Sequence, residues 1–197
     1  MKKGCLIFAV VAVVAAVAVF GWVKTTYNSL VASDEGVQAA WSQVENVYQR
    51  RADLIPNLVA TVKGYAEHEG STLQAVIEAR SKATQITVDP ANLTEEQIAR
   101  FQAAQGELSQ ALGRLLAVSE AYPDLKANEN FRDLQTQLEG TENRITVERQ
   151  KFNETAQAYN TAVRTFPANI IAGLFHFEKK GYFKAAEGAD VAPKVEF

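Results

Sequence analysis

The stretch NFRDLQTQLEGTENRITVERQKFNETAQAYNTAVRTF, residues 130–166, decides the fold. Within it Phe131, Leu134, Leu138, Thr141, Ile145, Glu148, Phe152, Thr155, Tyr159, Ala162 and Phe166 recur in alternating steps of three and four. That spacing keeps one stripe of a helix facing a partner, as in a coiled coil. Asn130, answered by Asp133, supplies a start signal, and Pro167 closes the run. A single amphipathic helix cannot bury its own stripe, so the rest of the chain must provide other helices.

It does. Upstream, Trp41, Val44, Tyr48, Arg51, Ile55, Leu58, Val62 and Tyr65 form a second heptad seam, with Gly70 and Ser71 reading as a stop followed by an N-cap. Leu73, Val76, Ile77, Arg80 and Ala83 mark the inward face of a shorter helix that ends at Asp89-Pro90. Thr94 and Gln97 form a capping box for a third seam running from Ile98 to Tyr122, where Pro123 stops it. The expectation is an all-α chain with helices over about 30–69, 72–87, 94–121 and 130–166, packed as an antiparallel four-helix, coiled-coil-like bundle over 24–167. Residues 168–197 form an aromatic-rich C-terminal extension.

The N-terminus sets the class. After Lys2 and Lys3 comes GCLIFAVVAVVAAVAVFGWV, residues 4–23, with no charge. About 20 apolar residues as a helix span the hydrocarbon core of a bilayer. A cleaved signal peptide competes, but its apolar region is typically ~7–15 residues and ends in a polar stretch; here Phe20 and Trp22 follow without a break. Residues 1–23 therefore read as a cytoplasmic stub and a retained anchor. Lys2 and Lys3 outweigh Lys24, which places the N-terminus in the cytoplasm and the bundle outside. Setting those three lysines aside leaves 17 basic against 23 acidic residues, too acidic for a nucleic-acid binder or for a domain lying flat on anionic lipid.

Two residues on the first seam stand out. Arg51 is a charge among apolar positions, as is Glu148 on the last helix. If Val37 sits level with Phe166, Arg51 falls level with Phe152, one turn from Glu148. The expectation is a structural ion pair between Arg51 and Glu148, with Asp53, Glu45 and Glu142 as rival partners. An anion site around Arg51 lacks any glycine-rich loop or second basic residue on that seam. Pro56 removes the amide bond back to the Ala52 carbonyl and is expected to kink the helix around its neighbours.

Three blocks, AWSQVENVYQRRADLIPNLVATVKGYAEHE (40–69), YPDLKANENFRDLQTQLEGTENRI (122–145) and ERQKFNETAQAYNTAVRTFP (148–167), resemble the LemA family of bacterial membrane proteins. The resemblance extends from the anchor to the closing PKVEF. It implies an N-terminal transmembrane helix in the bacterial inner membrane, an antiparallel helical bundle following it outside, and no catalytic residues. Relatives often occur near genes for a TPM-domain membrane protein and sometimes near membrane metalloproteases, which names a candidate membrane-protein partner and fixes no activity.

The residues add no enzyme signature. His68-Glu69 begins like HExxH, but residue 72 is Thr, and only two histidines exist. No catalytic, cofactor-binding or metal residues are assigned. The segment FPANIIAGLFHFEKKGYF (166–183) offers Ile170, Ile171, Leu174, Phe175, Phe177, Tyr182 and Phe183 for packing on the bundle, for a second subunit or for the lipid interface. Trp41 and Tyr48 join them as interaction candidates on the first seam. The expected function is a non-enzymatic, membrane-anchored structural or interaction protein that forms homo-oligomers. The alternative is an extracytoplasmic module presenting a groove to a peptide, a lipid or a membrane protease.

Overall fold

The computed structural model describes residues 2–185, and among these every regular element is helical. The PKVEF ending and the rest of 186–197 lie outside the described residues. Six α-helices follow one another: α1 (Lys2–Lys63), α2 (Gly70–Gln85), α3 (Glu95–Ser119), α4 (Pro123–Ala127), α5 (Glu129–Arg164) and α6 (Ala168–Leu174). A 3-10 turn, Glu67–Glu69, links α1 to α2.

α1 is one unbroken helix of 62 residues. Its first third, with Leu6 through Phe20 exposed, is long and apolar enough to cross a membrane, and none of that window is buried in the protein. Burial begins at Leu30 and continues through Val37, Trp41, Val44 and Tyr48. The helix ends at Lys63, before Gly64, and not near Gly70 as the sequence suggests. Val62 explains this. Its carbonyl accepts from both Tyr65 and Ala66, which turns the chain and tucks Ala66 into the core.

The other boundaries shift for similar local reasons. Asn128, not Asn130, caps α5, its Oδ1 accepting from Phe131 N at 2.9 Å. Thr94 caps α3 by accepting from Gln97 N at 3.2 Å, but Gln97 Oε1 is buried without a partner, so the reciprocal half of the capping box is not made. On α2, Ala79 takes the inward place and Ile77 lies half exposed.

α1 packs along α5, and α2 packs on α3 and α1. α1 and α5 run in opposite directions, but the register differs from the sequence expectation. Phe152 lies against Trp41, ring centroids 5.4 Å apart, and not level with Arg51. The slip of ten residues is about 15 Å along a helix. Its cause lies at the foot of the domain. Leu30 already belongs to the core, and the chain beyond Phe166 descends far enough for the Phe175 and Phe177 rings to meet Tyr27 at steep angles, centroids 4.8 and 5.7 Å away. The packed domain therefore reaches down α1 to Leu30 and Tyr27, below the level of Val37 where the sequence reading set the foot of α5.

The core has two tiers. The lower gathers Trp41, Tyr48, Phe101, Phe152, Tyr159 and Phe183, with Trp41 in ring contact with Phe101, Phe152 and Phe183. Each such pair is worth about 0.5–1.5 kcal/mol beyond its burial. The upper tier gathers Ile55, Leu58, Val62, Val76, Leu108, Leu115, Phe131 and Leu138.

Pro56 stands where α1 enters the upper tier, and its lost hydrogen bond has a replacement. The Ala52 carbonyl, which a residue-56 amide would otherwise satisfy, accepts from Arg80 Nε of α2 at 2.8 Å. The proline thus frees an acceptor that docks α2. Arg80→Leu should cost about 1–3 kcal/mol, because it strands that carbonyl. In a Pro56→Ala background, where residue 56 regains its amide, the same change should cost clearly less. Chemical unfolding of the four variants measures the difference; equal costs in both backgrounds would show that the carbonyl is not what Arg80 serves.

Candidate functional site

Between the two tiers lies a buried polar hub. Arg51 is 1% exposed. Its Nη1 donates to Glu142 Oε1 at 2.6 Å and to Ser109 Oγ at 2.8 Å. Its Nη2 donates to Gln105 Oε1 at 2.6 Å and to the Gln105 carbonyl at 3.2 Å. Gln105 Nε2 in turn reaches the Ala83 carbonyl at 3.4 Å, and the guanidinium lies 5.1 Å from the Tyr48 ring centre. One side chain on α1 is thereby tied to α2, α3 and α5.

Arg51 does not pair with Glu148, which is half buried and bonds Lys151 one turn further along α5 at 2.8 Å. The ten-residue slip in register accounts for the change, since it carries Glu142, one of the rivals, to the level of Arg51. Glu142 is 46% exposed, so the pair joins a buried cation to a half-hydrated anion. The four hydrogen bonds of Arg51 all go to groups of the protein, and its Nε is buried without a partner among the described residues, so the residue reads as a structural centre and not as an anion site open to solvent.

The second constellation involves residues that sequence reasoning passed over. Residues Lys180–Lys184 run as an extended strap between α3 and α5, and side-chain carboxamides clamp its backbone. Asn160 Oδ1 accepts from Lys180 N and its Nδ2 donates to Lys180 O, both at 2.8 Å. Asn153 makes the same pair of bonds to Phe183, both at 2.9 Å. Gln102 repeats the pattern on Lys184 from the other side, at 3.2 and 2.9 Å. Three amides thus stand in for a neighbouring β-strand. The one legible sign was the spacing of Asn153 and Asn160, seven residues apart and so on one face of α5.

At the foot of the strap Lys180 is nearly buried. Its Nζ bonds Asp34 at 2.7 Å and the Ala91 carbonyl at 3.0 Å, and it lies 5.6 Å from the Tyr159 ring centre. Burial first, and then the neighbouring Asp34 carboxylate, holds the Tyr159 phenol well above its usual range, so it stays neutral. Gly181 passes so close to the start of α3 that a Cβ there would lie 2.7 Å from the Glu95 backbone.

The interaction candidates divide accordingly. Trp41, Tyr48, Ile171 and Phe183 are buried in the core and offer nothing to a partner. Phe177 is half buried against it. Ile170, Leu174, Phe175 and Tyr182 stay exposed, and Phe166 joins them. Ile170 and Leu174 are one turn apart on α6, so they form one apolar edge at the foot of the domain, and Phe166 in the turn before α6 is exposed as well. Above the strap, α3 and α5 border an open groove of about 490 Å³ lined by Ser109, Leu112, Gly113, Leu116, Gln135, Leu138 and Asn143, among others. Among the described residues, no three His, Cys, Asp or Glu side chains gather where they could hold a metal ion.

A helix of membrane-spanning length running without a break into a helical domain, with a structural polar hub at its centre, defines a class: all-helical proteins with a candidate N-terminal membrane helix. The comparisons narrow it. The LemA family model matches residues 40–197, and the chain belongs to that family. The magnetosome proteins MamQ 1 and MamQ 2 of Paramagnetospirillum magneticum are each 28% identical over 92% of this chain and 73% of theirs. Protein LemA of Metamycoplasma hominis is 26% identical over 81% of this chain and 69% of its own.

Two predictions follow from the hub and the strap. Glu142→Ala should cost about 2–4 kcal/mol by leaving the buried guanidinium without its anion, whereas Glu148→Ala should stay within about 0.5 kcal/mol. A double-mutant cycle by chemical unfolding should couple Arg51 to Glu142 and not to Glu148. Gly181→Ala should lower the melting temperature and speed amide hydrogen exchange at residues 180–184, since the strap must lift away from α3; unchanged exchange would show that the close approach is dispensable.

Proposed function

We propose that this chain is a non-enzymatic structural protein of the bacterial inner membrane. Its antiparallel four-helix domain stands outside the cytoplasm on a single transmembrane helix, with Lys2 and Lys3 on the inner side. It builds assemblies with further copies of itself or with a membrane-protein partner. The observation that supports this most is the exposed apolar edge of Ile170 and Leu174 on α6, together with the exposed Phe166 and Phe175 on either side of that helix in sequence. The Phe175 ring packs at a tilt against Tyr27, only four residues beyond Val23 at the end of the apolar run. Four residues of helix are about 6 Å, so the edge lies at the membrane surface. Neighbours diffusing in the plane of the membrane meet each other at that height, and an apolar edge held there by a rigid stem is suited to lateral contact. The relatives' name, magnetosome protein, states a compartment and no reaction, which is consistent with a structural role.

The second reading, a module that presents a groove to a peptide, is favoured by the opening between α3 and α5. The two readings put the working surface in different places, the foot of the domain or its open side.

A photo-crosslinking side chain at Leu174, activated in intact membranes, should yield a species of twice the chain mass or a conjugate with one membrane protein. Adducts with lipid alone, together with a strictly monomeric mass in mild detergent, would overturn the assembly reading. Protease added from outside the cytoplasmic membrane should digest the domain; full protection would reverse the orientation.

A further inference from the structure

The foot of the domain holds a second opening, where α1 faces the segment that follows α6. It is a pocket of about 490 Å³ whose lining includes Tyr27, Asp34, Phe175, Phe177, Glu178 and Lys179. Its wall is graded along α1. Phe175 and Phe177 meet Tyr27, four residues beyond Val23, and Lys180 meets Asp34, eleven residues beyond it. Those levels are about 6 and 16 Å above the end of the apolar run. Glu178 and Lys179 lie on the chain that climbs from the first level to the second. The pocket is therefore aromatic below, carries one charge of each sign above the rings, and closes on the Lys180–Asp34 pair.

That pair is satisfied, since Lys180 Nζ also donates to the Ala91 carbonyl. Glu178 and Lys179 are exposed, and among the described residues neither takes part in an ion pair. His176 adds to the rim. It follows α6 with φ 59°, and Phe177 N donates to the Ala172 carbonyl, an ending in which glycine is the usual residue. Here a side chain stands in that place, and it lines the pocket.

We propose that this pocket seats the headgroup of one zwitterionic phospholipid of the membrane that α1 crosses. Height selects a lipid. The headgroup layer on each face of a bilayer is about 5–8 Å thick, so the rings lie within it and the charges just above. Order selects the orientation. In such a lipid the chains lie lowest, the phosphate above them and the ammonium outermost. The rings meet the lipid near its glycerol, Lys179 and His176 donate to the phosphate, and Glu178 accepts from the ammonium. Charge selects the headgroup. The pocket offers both signs, and the acidic balance outside the anchor disfavours a purely anionic lipid. An interfacial aromatic belt accounts for the rings alone and not for an open polar cavity directly above them.

This seat depends on α1 spanning the membrane and not on assembly, since Ile170 and Leu174 do not line it. The full chain in lipid discs of equimolar phosphatidylethanolamine and phosphatidylglycerol, released for native mass spectrometry, should retain one phosphatidylethanolamine in roughly tenfold preference. Glu178→Gln with Lys179→Gln should leave the melting temperature unchanged and bring the preference to near parity. Equal retention of the two lipids, a preference for phosphatidylglycerol, or a preference that survives in the double variant would overturn the seat. So would displacement by soluble phosphoethanolamine at equal concentration, which would assign the pocket to a free solute. A chain that never enters the discs would overturn the membrane span along with the seat, whereas entry without preference overturns the seat alone. Self-association is read separately, from the mass of the released species.

Discussion

The Arg51 guanidinium is the constraint on which the rest of the domain depends. A charge taken out of water on the central seam of α1 must be met by acceptors from every helix that passes its level, and it is met by Gln105, Ser109 and Glu142. Such a centre contributes little net stability, because desolvation offsets most of the attraction. What it imposes is alignment. A heptad shift of α5 against α1 would still pack apolar on apolar, but it would strand the cation. The core accordingly splits into an aromatic tier below Arg51 and an aliphatic tier above it.

The same logic recurs wherever regular backbone pairing is interrupted. Pro56 releases the Ala52 carbonyl and Arg80 takes it up. The strap at 180–184 has no strand beside it, and Asn153, Asn160 and Gln102 supply the missing donors and acceptors. Buried backbone groups have to be paired. In a domain made only of helices, side chains are the available means of pairing an extended segment.

How much of this was legible follows from the range over which each signal acts. Helix existence and the inward faces were readable, because three-and-four spacing is local and repeated; Trp41, Ile55, Leu108 and Phe152 lie where their seams put them. Register was not readable. Seams built from steps of three and four also match after a shift of ten, and what selects the offset, the acceptors around Arg51 and the descent of the chain beyond Pro167 to Tyr27, has no periodic signature. That error moved the partner of Arg51 from Glu142 to Glu148. Caps misled for a related reason: Asn128 and Asn130 both carry the side chain needed, and only the turn through Pro123–Ala127 selects the first. Asn153 and Asn160 were visible as polar residues beside a seam, a position that normally means solvent. Nothing local reveals that a strand passes there.

The strap also bears on what the C-terminal region is for. It occupies the space where α3 and α5 would otherwise meet, and Phe183 stacks on Trp41 in the middle of the lower tier. Lys180 closes the arrangement by reaching Asp34 on α1. Residues 168–185 are therefore a structural layer of the domain and not an appendage to it. Immediately above the strap the Arg51 Nη1 group donates both to Ser109 on α3 and to Glu142 on α5, so one guanidinium nitrogen bridges the same two helices that the strap separates below.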